Sequence, residues 1–281
     1  MKGRGGIKAA LRDTQTALSG YKYVFKSDIR NYYASINHEI LLSVGREFKI
    51  RPNELSLIKA SLARVEEKDM LYTLYEQGIP KGSPLSPLLG SMMLNKLDRA
   101  MEAFDGLYYA RYMDDWVVLC KTRNQLRQII KITHGILKSL QLELHPDKTY
   151  LGTIAKGFNF LGHRLNPEPS KAMAPADTTL TQFRTNYQQR YAQGASTACL
   201  VDYVRRFTRW CRAGLDEFFT DLDSLYGYIA LALKNISGAA DVCAESQRLD
   251  LQAKRCSAFT SSTTLTSKEI YHDYNSFKGL G

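Results

Sequence analysis

Three aspartates stand where carboxylates are costly. Asp28 ends the aromatic and aliphatic run Tyr21–Ser27, and Asp114 and Asp115 are adjacent at the tip of a hairpin predicted between strands Leu107–Tyr112 and Trp116–Cys120. Like charges side by side near a core cost free energy unless a cation offsets them. Oxygen ligation by a few carboxylates, with phosphates and water in the remaining positions, suits Mg²⁺. Two such ions about 3.5–4 Å apart can activate an attacking hydroxyl and stabilise a leaving oxygen in phosphoryl transfer. A plain turn is the competing reading, because aspartate is common in turns. Taken alone, the Asp114-Asp115 pair favours the turn.

The surrounding elements decide what those residues can face. The pattern predicts a short helix over residues 7–19, the strand Tyr21–Ser27, and helices over Asn37–Phe48 and Glu54–Val65. The charge cluster Glu66–Asp69 reads as a solvated turn. Three prolines and two glycines in Gly78–Pro87 forbid regular structure, so a loop is expected, followed by a helix over Leu88–Met101. Asn124–Leu140 reads as an amphipathic helix, with Leu142–Leu144 and Phe158–Leu161 as short strands. Pro167, Pro169 and Pro175 punctuate a linker over Asn166–Pro175, after which the chain reads as helical to about Ser237. The Ser/Thr-rich tail Ser257–Ser267 reads as loosely ordered. Two domains are expected, residues 1–165 and 166–281.

Of the 281 residues, 44% are hydrophobic and 23% charged, which argues for a globular fold and against wholesale disorder. No apolar run approaches the ~18–20 residues of a membrane span, and the basic N-terminus lacks the apolar stretch of a signal peptide. A cytoplasmic protein without membrane partners is the expectation. Cys120, Cys199, Cys211, Cys243 and Cys256 are scattered and odd in number, so neither a disulfide framework nor a zinc site is expected. The net charge of +10 favours a polyanionic partner.

Five segments then agree in order. Tyr112-Met-Asp-Asp115 between apolar strands resembles the YxDD motif of reverse transcriptases. Asp28-Ile-Arg-Asn-Tyr-Tyr33-Ala-Ser-Ile-Asn-His38 resembles the preceding aspartate motif of group II intron, retron and related bacterial reverse transcriptases. Gln77-Gly-Ile-Pro-Lys-Gly-Ser-Pro-Leu-Ser-Pro87 resembles the template- and nucleotide-facing segment between them. His145-Pro-Asp-Lys-Thr149 and Gly157-Phe-Asn-Phe-Leu-Gly-His163 resemble the two later palm motifs, the second being the primer grip. Together they cover roughly residues 3 to 165. The resemblance implies an α+β right-hand polymerase, with a palm and reduced fingers followed by an all-helical thumb. It implies an RNA-directed DNA polymerase that makes cDNA from an RNA template and dNTPs, with two Mg²⁺ ions that Mn²⁺ can replace.

The resemblance also assigns roles. Asp28 and Asp114 would bridge the ions, Asp115 would assist, and Ile29 would add its backbone carbonyl. Tyr33 would abut the sugar 2′ position and select dNTPs. Arg30, Gln77, Lys81 and Lys148 would meet nucleotide or template, Lys148 at the pyrophosphate. Phe158, Phe160, Leu161 and Gly162 would hold the primer terminus. In the second domain, Arg164–Arg212 holds eight basic residues against three acidic ones. Arg205, Arg209 and Arg212 fall on one helical face and suit the phosphates of a template–primer duplex. Tyr203, Phe207 and Trp210 fall on another, read as core.

One part of the pattern departs. The family supplies triphosphate-binding basic residues well upstream of the first aspartate motif, and here 27 residues precede Asp28. Small fingers, a missing N-terminal segment and completion by another molecule all stay open, with Lys2, Arg4 and Arg30 as substitutes. The short architecture points to compact stand-alone enzymes working on a dedicated noncoding RNA, with an anti-phage defence role the leaning. The oligomeric state is left open.

Overall fold

The computed structural model describes residues 6–63, 65–68, 71–74, 76–80, 82–168, 173–219 and 222–262, of which 65–68, 71–74 and 254–262 are described by backbone alone. Residues 1–176 and 177–281 form two compact units. The first runs α1 (Gly6–Ala17), β1 (Tyr23–Ser27), α2 (Tyr32–Ser35), α3 (His38–Glu47), α4 (Pro52–Leu62), β2 (Val65–Lys68), β3 (Leu71–Leu74), α5 (Ser86–Met93) and α6 (Asn95–Glu102). It continues through β4 (Tyr108–Tyr112), β5 (Asp115–Cys120), α7 (Arg123–Ser139), β6 (Tyr150–Thr153), β7 (Phe158–Phe160), β8 (His163–Leu165) and β9 (Met173–Pro175).

The main sheet has the order β4-β5-β1-β6, antiparallel throughout. Residues 116–120 of β5 are all buried because the strand lies between β4 and β1 with helices on both faces. Period-2 alternation divides those faces. On one, Tyr108 of β4 meets Thr14 of α1, their hydroxyls 3.1 Å apart. On the other, Trp116, Val118 and Cys120 share a core with Leu97 and Met101 of α6 and Ile129 and Leu137 of α7. Truncating Trp116 there would cost about 3–5 kcal/mol. Local signals set the helix starts: Asn37 Oδ1 accepts from the Ile40 N–H at 3.1 Å, and Thr122 and Gln125 cap α7 reciprocally.

Several sequence expectations are corrected. Residues 66–68 of the Glu66–Asp69 cluster are not in a turn, and Asp69 lies outside the described residues: Val65–Lys68 form β2, paired with β3 in the register Val65↔Leu74, and α4 ends at Leu62. Cross-strand pairing outweighs the charge density that suggested a loop. Leu142–Leu144 is no strand but a single bridge, Ile29↔Leu144, while the unpredicted β6 completes the sheet. The helix expected over Leu88–Met101 breaks at Leu94 into α5 and α6. Within the expected linker, residues 173–175 form β9 on the β7–β8 hairpin.

The second unit comprises α8 (Asp177–Ala192), α9 (Thr197–Arg212), α10 (Leu222–Ala232) and α11 (Ala239–Ser262). Residues 257–262 of the expected loose tail are therefore helical. The buried side of α9 is Leu200, Val201, Val204, Thr208 and Cys211. The Tyr203–Phe207–Trp210 row lies beside it and stacks toward α8, with the Phe207 and Phe183 rings 4.1 Å apart and Trp210 41% exposed. Two apolar stripes compete on α9, and the aliphatic one takes the core.

Candidate active site

β1 delivers Asp28 one residue past its end, and the two-residue turn Met113-Asp114 delivers Asp114 and Asp115 from the neighbouring hairpin. Because β5 pairs with β1 through Ser27↔Trp116, the strand end and the turn lie side by side. Asp28 is buried and its Oδ1 has no hydrogen-bond partner; its Oδ2 accepts from the Lys148 ammonium. Burial and the Asp28 charge together raise the Asp114 carboxyl above its ordinary range. Burial pushes Asp115 up to about 6, against the pull of Lys26. Lys26 Nζ approaches Asp115 Oδ1 at 3.5 Å, yet that buried oxygen accepts no hydrogen bond.

Like charges, an orphaned buried oxygen and a lysine acting as counter-ion are what a cation site leaves in the protein around it. Among the described residues no three His, Cys, Asp or Glu side chains form a metal-holding group. Asp28 and Asp114 would then supply two carboxylates, with the other positions left to backbone, phosphate and water, as suits Mg²⁺. The Ile29↔Leu144 bridge uses the Asp28 carbonyl, which accepts from His145 N–H at 2.8 Å, and the Arg30 N–H, which donates to Glu143 at 2.9 Å. The carbonyl of Ile29 itself is not used by that bridge. The chemistry of the donor set fits a divalent ion.

The Gly78–Pro87 loop is tied to the first aspartate motif by backbone. Gly78 N–H donates to Ile36 and Ile79 N–H to Tyr33, both at 2.7 Å, and Gln77 bridges Asn37. Gly78 takes φ +88, which favours glycine. Tyr33 is half-buried, its ring near Gly90 and its hydroxyl 3.9 Å from Met113 Sδ, so it borders the catalytic turn.

Residues 2–165 match the family described as reverse transcriptase (RNA-dependent DNA polymerase). The chain belongs to that family. Protein YkfC of Escherichia coli (strain K12) is 28% identical over 178 residues, 51% of this chain and 47% of that protein. Telomerase from Candida albicans, solved with the TWJ fragment of telomeric RNA, superposes with a TM-score of 0.51 at 12% identity. That match covers 86% of this chain and 52% of the telomerase and shows a shared fold. The chain spans about half the length of both relatives. The fold is thus the expected mixed α+β reverse transcriptase palm followed by a helical unit.

The remaining expected site residues are placed unevenly. Lys148 reaches Asp28 but is 55% exposed, free enough to leave it. Arg30 is exposed. Lys81, Lys2 and Arg4 lie outside the described residues. Phe158 and Phe160 are buried; in the β7–β8 hairpin the turn Leu161-Gly162, with φ +45 and +80, is half-buried, and the cross-strand pair Asn159 and Arg164 is exposed. Arg205, Arg209 and Arg212 line one cavity of about 340 Å³ with Asp216 and Asp250. Arg205 Nε pairs with Asp250 and Arg212 Nη2 with Asp216, each at 2.8 Å, and Arg209 is exposed.

Sequence reasoning passed over several supporting residues. Lys26 is a lone cation inside an apolar strand, two residues before Asp28. Thr149 hydroxyl donates to the His145 carbonyl at 2.8 Å and meets Ser27 Oγ at 2.7 Å, locking the Lys148 loop to β1. His163, fully buried behind the Leu161-Gly162 turn, contacts the Leu161 carbonyl at 3.2 Å and Lys8 of α1 at 3.4 Å. Arg111, a charge within a strand, is the other signal available in sequence.

Among the described residues no helix is long and apolar enough to cross a membrane.

Proposed function

We propose that this chain is an RNA-directed DNA polymerase that joins dNTPs on an RNA template by two-metal-ion nucleotidyl transfer. The supporting observation is the juxtaposition of Asp28 and Asp114 at adjacent strand ends, like-charged and with an orphaned buried oxygen, in a chain of the reverse transcriptase family.

Asp28 and Asp114 would hold Mg²⁺ or Mn²⁺, with Ile29 adding its carbonyl. Ions held there would supply Lewis-acid activation of a primer hydroxyl and neutralisation of charge at the α-phosphate. Tyr33 excludes a ribose 2′-hydroxyl by its bulk and so selects dNTPs. Lys148 releases Asp28 and places its ammonium against the departing pyrophosphate. Gln77 and Arg30 contact template or nucleotide, and the Leu161-Gly162 turn bears on the primer strand. Sequence is read by base pairing, leaving the protein to contact backbone and duplex shape.

Incorporation of dNTPs by purified protein with Mg²⁺, on a primed RNA and on co-purifying RNA, tests the proposal. Wild type should extend, and Asp114→Ala/Asp115→Ala should not. Sequencing the product identifies the template, for which a dedicated structured noncoding RNA serving anti-phage defence is the expectation. A wild type inactive on both templates, with the variant keeping the full biological effect, would instead mark an RNA-binding protein with a vestigial site.

A further inference from the structure

The catalytic turn holds a conformation its sequence does not favour. Met113 sits at φ +57 in a two-residue hairpin turn. Such turns take Gly, Asn or Asp where φ is positive, and for other L-residues the left-handed region costs about 1–2 kcal/mol. Asp114 follows directly, so the direction of its carboxylate depends on this strained peptide.

One side chain grips that peptide. Arg111 Nη1 donates to the Met113 carbonyl at 2.6 Å. The same guanidinium is fixed from behind: Nε donates to Asp98 Oδ1 at 2.7 Å, Nη2 donates to Asp98 Oδ2, and Nη2 lies 3.5 Å from the Ser91 carbonyl. Tyr109, on the same sheet face two residues earlier, donates its hydroxyl to Asp98 Oδ1 at 2.7 Å. The pair is largely buried, with side-chain exposures of 11% for Arg111 and 22% for Asp98. Alternation along β4 turns Tyr109 and Arg111 toward α6, where Asp98 stands.

We infer that Asp98 and Arg111 are positioning residues for nucleotidyl transfer: the buried ion pair anchors a guanidinium whose free arm holds the Met113 carbonyl and thereby aims Asp114. Neither residue touches substrate or metal. A planar guanidinium can meet both Asp98 oxygens and still extend a third donor, and an ammonium cannot reproduce that geometry. The inference rests on the polymerase reading for its catalytic consequence but not for its structural one.

The test uses the full chain with ¹³C-methyl methionine, comparing wild type with Arg111→Lys, which keeps the charge beside Asp98. The Met113 methyl resonance should shift or broaden while the resonances of the other six methionines stay in place. The kcat for dNTP incorporation should fall about ten-fold or more, as misaligned reacting groups do, with KM within about two-fold. Adding Met113→Gly, a residue that adopts positive φ unaided, should return kcat to the level of Met113→Gly alone. Should Arg111→Lys fold poorly, Asp98→Leu/Arg111→Leu removes both charges together without adding a methionine and is read the same way. The inference is overturned if Arg111→Lys changes neither Met113 nor kcat, if all seven methyl signals move together, or if glycine restores nothing. A selective Met113 change in a protein whose wild type polymerises on no template would uphold the positioning and remove the polymerase reading.

Discussion

The sheet unit and the helical unit handle charge in opposite ways. At the end of β1 and in the β4–β5 turn, Asp28 and Asp115 each bury an oxygen that accepts no hydrogen bond, and Asp114 is raised by its neighbour. In the helical unit, Arg205 meets Asp250 and Arg212 meets Asp216, leaving only Arg212 Nε buried without a partner among the three arginines. Carboxylates that Lys148 and Lys26 satisfy at one oxygen or at a distance leave room for a cation; charge paired at hydrogen-bond distance holds helices together. Of the arginine stripe, Arg209 is the exposed member, and we propose that phosphate contact falls chiefly to it.

The contrast can be broken at its strongest point by removing carboxylates. Asp28→Ala or Asp114→Ala should lower dNTP incorporation by about 10³-fold or more, while circular dichroism stays that of wild type. Retained activity would show that this cluster of partly compensated carboxylates is not the reactive centre. Tyr33→Ala should reduce discrimination between dNTPs and rNTPs by about 10²-fold in kcat/KM, read by single-nucleotide extension with each substrate. Lys148→Met should slow incorporation by about ten-fold or more and tighten Mn²⁺ binding, since its ammonium no longer competes for Asp28.

Smaller effects sharpen the contrast. A folded-state Asp115 raised from 3.8 to about 6 means the fold holds that proton more tightly than the unfolded chain does. The metal-free protein therefore pays no penalty below about pH 4, an increasing one between about 4 and 6, and the full one above. Asp115→Asn should raise the metal-free melting temperature at pH 7 by about 2–4 °C, corresponding to about 1–2 kcal/mol, and by little at pH 4. In the helical unit, Arg209→Ala should weaken RNA–DNA duplex binding a few-fold and lower the salt slope by about 1. Arg205→Ala should act on stability instead, by leaving Asp250 without its partner.

The reactive centre was more legible in sequence than the scaffold around it. Asp28 and Asp114 draw notice because a carboxylate at the end of an apolar strand, or a doubled one at a hairpin tip, asks for an explanation, but alone they read as a turn; the family resemblance decided their role and supplied that of Tyr33. The strands β2, β6, β8 and β9 carry no comparable mark. Pairing across long separations, such as Phe25↔Leu151 in β1 and β6, overrides local composition. The arginine stripe was legible as a stripe, but Asp250 lies 45 residues from Arg205 and no periodicity joins them. Arg111 and Lys26 show the intermediate case: a charge inside a strand is visible, whereas its partner on another element is not.

The central claim is that the Asp28–Asp114 pair is a divalent-cation site. A titration of the full chain with Mn²⁺, followed by electron paramagnetic resonance of the free ion, tests it directly and needs neither template nor substrate. Wild type should bind Mn²⁺ saturably and in competition with Mg²⁺, Asp28→Asn should lose that binding, and Lys148→Met should strengthen it. Equal binding by wild type and Asp28→Asn would contradict the account.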